Sequence, residues 1–100
     1  MEEPEDTTPY RDGTDTLKQL QVSNLTNLAL VQFKRNKPLE CIAFCDKALE
    51  IDHKWVKALF WKARALHEEA DYDEAIQVLK DALEFEPDNQ EVKKQLQTTV

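Results

Sequence analysis

Glycine is almost missing from this chain, with Gly13 the single example in 100 residues. Loops that wrap a phosphate or expose a nucleophile lean on glycine, because only a residue without Cβ takes their backbone angles at little cost. No GxGxxG, no phosphate-cradling loop and no GxSxG elbow occurs, so nucleotide sites and hydrolase elbows of those kinds are excluded. Cysteine is scarce too, at Cys41 and Cys45; without a secretory signal the pair reads as reduced thiols rather than a disulfide frame. No apolar run reaches the roughly 18 residues of a membrane span. The start, MEEPEDTTPYRDG, is acidic and lacks the apolar segment of a signal peptide or the basic face of a presequence. A cytoplasmic location, or a nuclear one, follows as the expectation. Positive charge is also short, 13 Lys and Arg against 20 Asp and Glu for a net −7. That balance argues against sequence-independent binding to nucleic acid, which needs a basic footprint.

What remains is 41% apolar and 33% charged, the make-up of one small, mostly helical domain. Residues 1–14 hold Pro4, Pro9 and most of the acidity without any apolar period, and are expected to form a disordered acidic tail. Helical spacing begins near Asp15, a candidate N-cap, and continues through Leu17, Leu20, Leu25, Leu28, Val31 and Phe33. Asn36 can take the left-handed turn that ends this helix, and Pro38 suits the first turn of the next. The second helix is expected over Leu39 to Ile51 with Ile42, Cys45, Ala48 and Leu49 inward, and Asp52 as cap for the third. The third covers Trp55 to Glu69. Asp71 with Glu74, and Asp88 with Glu91, read as capping boxes for a fourth helix ending at Pro87 and a fifth beyond it.

The third helix carries two stripes. Leu59, Ala63 and Leu66, flanked by Val56, Ala58 and Ala65, form a packing face, whereas Lys57, Phe60, Trp61, Arg64 and His67 mix cations with aromatics. Shifting the chain by 34 residues superposes Leu25 on Leu59, Ala29 on Ala63, Glu40 on Glu74, Ile42 on Ile76, and Ala48-Leu49-Glu50 on Ala82-Leu83-Glu84. Identities confined to helical positions indicate an internal repeat.

A 34-residue helix-turn-helix unit with small residues at its tight contacts resembles the tetratricopeptide repeat. Unit 56–89 shows the pattern in Leu59, Ala63, Leu66, Tyr72, Ala75, Leu79, Ala82 and Pro87, and unit 22–55 in Leu25, Ala29, Cys41, Cys45 and Ala48. The resemblance implies an all-α fold over residues 15–98: antiparallel helix-turn-helix repeats at 22–55 and 56–89 with a capping helix at 88–97, in a right-handed superhelical stack. Two repeats and a cap fall short of the roughly three that such stacks need, so a longer parent protein or a homodimer is expected.

No cofactor is expected. Cys41, Cys45, His53 and His67 could enter a metal site, but zinc needs a convergent set and neither CxxC nor HExxH occurs; the thiols fit small inward positions. Carboxylates such as Glu68, Glu69, Asp71 and Asp73 sit at helix ends, where solvation and capping account for them. Catalysis by these residues is not expected.

In stacked helix pairs the first helix of each repeat lines the concave side. The expected groove residues are Ser23, Thr26, Asn27, Leu30, Phe33 and Lys34, then Lys57, Phe60, Trp61, Arg64, His67 and Glu68. This groove is net basic within an acidic chain and suits an acidic or carboxylate-bearing peptide. The stretches SNLTNLALVQFKRN, CDKALEID and VKALFWKA with DYDEAI are similar to the repeat domains of large immunophilins, which join such repeats to a peptidyl-prolyl isomerase domain. The resemblance implies a two-carboxylate clamp for the acidic C-terminal tail of a heat-shock chaperone. Asn27 and Lys57 match its second-repeat asparagine and third-repeat lysine. Trp61 stands where the clamp has arginine, and the first-repeat pair has no counterpart. An indole with one N–H does not replace a carboxylate-binding cation, although Arg64, seven residues after Lys57, adds charge on the same face. Trp61 can anchor a ligand side chain, pack on a neighbouring repeat or second copy, or stand incidentally exposed. The expected function is a non-catalytic peptide-binding module of an immunophilin-like co-chaperone, with Asn27, Lys57, Phe60, Trp61 and Arg64 at the site; the rival is a self-associating assembly module.

Overall fold

The computed structural model of the chain describes residues 13–100; of the tail expected at 1–14, residues 1–12 lie outside them, and Gly13 and Thr14 belong to the first helix. Among the described residues all regular structure is helical: α1 (Gly13–Lys34), α2 (Pro38–Ile51), α3 (Val56–Glu68), α4 (Tyr72–Phe85) and α5 (Gln90–Thr99). Each helix packs on the next, and the odd-numbered helices touch one another, α1 on α3 and α3 on α5.

The backbone repeats at 34 residues as closely as the side chains do. At the end of α1 the Lys37 N–H donates to Gln32 O at 2.9 Å and Asn36 N–H to Phe33 O at 3.0 Å; at the end of α3 Asp71 N–H donates to Leu66 O and Ala70 N–H to His67 O, both at 2.9 Å. Both are left-handed closures that satisfy orphan carbonyls. Asn36 takes the expected left-handed turn at φ 67°, and its repeat mate Ala70 does the same at φ 62°, where a Cβ costs roughly 1–2 kcal/mol. The even helices end alike: Asp52 N–H donates to Ala48 O and Glu86 N–H to Ala82 O at 2.9 Å, followed by Trp55 N–H to Asp52 O and Asn89 N–H to Glu86 O at 3.1 Å. Helix α5 therefore starts in the register of α3.

Helix starts depart from the expectations. α1 begins at Gly13, so Asp15 lies inside its first turn. Asp52 closes α2, and its Oδ1 accepts from Lys54 N–H at 3.1 Å; Trp55 occupies the N-cap of α3. Asp71 is the N-cap of α4 without a side-chain cap bond, and Asn89 rather than Asp88 caps α5, its Oδ1 accepting from Val92 N–H at 3.0 Å. The Asn89–Glu86 backbone bond sets the length of that turn and carries the cap one residue beyond Asp88. Pro38 sits in the first turn of α2, where its missing N–H costs nothing.

Two clusters make the core, and each joins one helix pair to the following helix. Val22 and Ala29 of α1 meet Cys41, Cys45 and Ala48 of α2 and Ala58 and Ala65 of α3. Leu59, Ala63 and Leu66 of α3 meet Ala75, Leu79 and Ala82 of α4 and Val92 of α5. Small residues at the crossings let the helices come close enough to interlock. Ile42 and Leu49, expected inward, are half-buried and touch both clusters. Leu17, Leu20, Leu28 and Val31, by contrast, are exposed on α1.

Candidate functional site

The helix register brings α1, the start of α3 and the start of α5 to one side of the molecule, around an open cavity of about 540 Å³. Lys57, Phe60 and Trp61 line it with Leu30. Lys57 is exposed, and Phe60 and Trp61 are half-buried. Asn27 is exposed on α1 but does not line the cavity, and Arg64 stands beside it rather than in its wall.

Arg64 is held by aromatic rings. Its guanidinium carbon lies 5.0 Å from the ring centres of Phe33 and Trp61 and 5.8 Å from that of Phe60. Trp61 in turn packs on Phe33 at 5.4 Å and edge-on to Phe60 at 5.3 Å. A cation over an aromatic face is attracted by the ring quadrupole, worth about 0.5–1 kcal/mol where exposed. The indole thus packs within its own chain, across the α1–α3 contact, while one part of it faces the cavity. Arg64 supplies charge to the groove from a fixed position.

Other walls were not anticipated. Lys54 and Trp55 from the α2–α3 turn, and Glu86, Asn89 and Glu91 from the start of α5, complete the lining. Two lysines face two glutamates, so the cavity is balanced in charge where a net basic groove was expected. The reason is that α5 repeats the placement of α3 and brings its own first turn to the groove; Glu91 is the 34-residue mate of Lys57. That register was the signal for it.

Thr26, expected to face the groove, is buried instead. Its Oγ1 donates to Val22 O at 2.7 Å and accepts from the Trp55 Nε1–H at 3.0 Å. The bond ties α1 to the N-cap of α3 and orients the Trp55 ring at the cavity edge. His67 approaches Thr99 Oγ1 through Nδ1 at 3.2 Å and stands edge-on to Tyr72, while His53 stands edge-on to Phe85. Both free cysteines are buried. The Cys41 Sγ–H points at Trp61 O at 3.9 Å, and the Cys45 thiol is pushed far up, first by its hydrogen bond with Cys41 and then by burial, so it stays protonated and unreactive. Among the described residues no group of three His, Cys, Asp or Glu could hold a metal ion, and no helix is long and apolar enough to cross a membrane.

Comparison with known proteins agrees with this architecture. Residues 15–82 match a family model described as anaphase-promoting complex, cyclosome, subunit 3. A solved structure described as the first TPR of Spaghetti (RPAP3) bound to HSP90 peptide SRMEEVD superposes with a TM-score of 0.76 at 24% identity, covering 79% of this chain and 64% of that one. A second, described as molecular features of the UNC-45 chaperone critical for binding and folding muscle myosin, reaches the same TM-score at 32% identity over 82% of this chain. This chain spans 9% of the latter's length. The first likeness is one of fold.

Proposed function

Since the chain belongs to the anaphase-promoting complex, cyclosome, subunit 3 family and folds as tetratricopeptide repeats, we propose that it is a protein-interaction module holding an extended peptide in the groove of α1, α3 and α5. The fold is one of non-catalytic interaction proteins, and the chain is not an enzyme. The observation that carries the reading is the placement of exposed Lys57 in the same cavity as half-buried Phe60 and Trp61. A ligand carboxylate meets Lys57 and Lys54 while an apolar side chain of the same ligand lies on the two rings. Arg64 strengthens the field behind the rings, and Asn27 meets the ligand where it leaves the cavity along α1.

The acidic tail of a heat-shock chaperone is the ligand we infer, as part of an immunophilin-like co-chaperone acting in the cytoplasm or nucleus. What supports this is the match of Asn27 and Lys57 to two clamp positions, together with the likeness in fold to a domain holding SRMEEVD, a peptide with three carboxylate side chains and an apolar methionine. Calorimetric titration of the full chain with SRMEEVD tests it. Lys57→Ala removes a charge-assisted contact, worth about 1.5–3 kcal/mol, so the affinity falls by about tenfold or more. Equal binding by Lys57→Ala, or by the peptide with its C-terminal carboxylate amidated, would sink the carboxylate reading.

A further inference from the structure

A second cavity, of about 510 Å³, lies at the start of α1 against the α2–α3 turn. Lys18, Gln19, Val22, Ile51, Asp52 and His53 line it, and Lys54 and Trp55 belong to it and to the groove alike. The two cavities therefore adjoin across one wall. That wall is fixed, because the Trp55 Nε1–H donates to buried Thr26 Oγ1 at 3.0 Å. Val22 is buried and Ile51 and Trp55 are half-buried, so the floor is apolar, while Lys18, Gln19, His53 and Lys54 are exposed around it.

The corresponding place in the second repeat is built differently. Thirty-four residues on, Gln19 and Ile51 become His53 and Phe85, whose rings stand edge-on with centres 6.1 Å apart. The first repeat has no ring pair there and leaves the space open. Charge reverses as well: Lys18 and Lys54 become Asp52 and Asp88. In the first-repeat cavity two lysines face a single carboxylate, Asp52, whose Oδ1 already accepts from the Lys54 N–H at 3.1 Å. The groove beside it holds lysines and glutamates in equal number. Surplus positive charge thus lies in the second cavity.

We infer that the second cavity is a subsite for an acidic side chain of the peptide held in the groove. The inference rests on the groove's being a peptide site, and it adds a second acid to what that peptide must carry. An extended chain advances roughly 7 Å in two residues, enough to cross one indole, so the acid in the second cavity stands about two residues from the carboxylate at Lys57. Its methylene groups lie on the Trp55 ring and Ile51, and its carboxylate faces Lys18. Lys54, on the shared wall, serves both acids. An ion pair over an apolar floor is less screened than one on open surface.

Calorimetric titration of the full chain with SRMEEVD, and with SRMQEVD, SRMEQVD and SRMEEVN, each lacking one acidic side chain, tests it through double-mutant cycles. Lys18→Gln, at an exposed position and checked for folding by circular dichroism, weakens SRMEEVD about threefold to fivefold. One of the three altered peptides no longer senses Lys18→Gln, yet is still weakened about tenfold by Lys57→Ala. Gln19→His with Ile51→Phe, which copies the ring pair of the second repeat, abolishes the same coupling. In NMR spectra of the labelled chain, SRMEEVD shifts Gln19 and His53 together with Lys57. Equal binding of SRMEEVD by Lys18→Gln, or equal sensitivity of all three altered peptides to it, would overturn the subsite and leave the groove standing. No binding of SRMEEVD by the unaltered chain would overturn both. Shifts at Gln19 and His53 without peptide, when Glu2, Glu3, Glu5 and Asp6 are replaced by their amides, would also overturn the subsite, since the chain's own acids would then fill the cavity.

Discussion

Helices α1 and α3 are one repeat apart, share leucine at 25 and 59 and alanine at 29 and 63, and end in the same hydrogen bonds. Their surroundings differ. α3 is covered by α2 on one side and α4 on the other, so it uses Ala58 and Ala65 at one contact and Leu59, Ala63 and Leu66 at the other. α1 is covered by α2 and touched by α3, and it carries Asn24 and Val31 where α3 has its buried alanines. In a stack of repeats, side-chain size at a given register follows the distance of the neighbouring helix. An apolar residue alone does not say that a neighbour is there.

The largest break in this comparison comes from the covered side. Leu79→Ala deletes a fully buried side chain from the α3–α4–α5 cluster and lowers unfolding free energy by about 2–5 kcal/mol in urea titration, whereas Leu20→Ala on the open face of α1 stays within about 0.5 kcal/mol. A similar cost from Leu20→Ala would mean that its face is already packed. Next come the register mates 65 and 31. Ala65→Leu overpacks the α2–α3 contact, by about 1–3 kcal/mol, and Val31→Leu is close to neutral; thermal melts that move equally for both would contradict the difference in cover. Trp55→Phe removes the indole bond to Thr26 that links the two helices, for a loss of about 0.5–1.5 kcal/mol. Unchanged denaturant midpoints would show that this bond ties nothing. The smallest effect is a gain. Ala70→Gly relieves a left-handed alanine and raises stability by up to about 1 kcal/mol after the entropy of glycine is counted. Asn36→Gly gains less, because asparagine tolerates that conformation; the reverse order in chemical denaturation would break the parallel between the two turns.

Much of this was legible beforehand because it is local or periodic. The spacing of Leu25, Ala29, Leu59 and Ala63 exposed the repeat, Asn36 marked a left-handed turn and Pro38 a helix start. Capping was less legible: Asp52, Asp71 and Asp88 are sound cap residues by type, but backbone bonds of the turns placed Trp55, Asp71 and Asn89 at the starts, and only Asn89 uses its side chain. Ala70 gave no sign, since nothing in alanine suggests a positive φ. At the groove, Lys57, Phe60 and Trp61 were legible from their stripe. Glu86, Asn89 and Glu91 were hidden because α5 reads as a terminal cap until its turn is seen to repeat that of α3.

By itself the sequence determined the helices, their number and their 34-residue register, because periodicity and the near absence of glycine act along the chain and need no partner. Only the tertiary structure decided which apolar faces are covered. It took Thr26 out of the groove by giving it Trp55 as a hydrogen-bond partner, set Arg64 against three rings, and balanced Lys54 and Lys57 with Glu86 and Glu91. The physical reason is that burial and local field are sums over neighbours far apart in the chain, and a residue's type does not carry the identity of those neighbours.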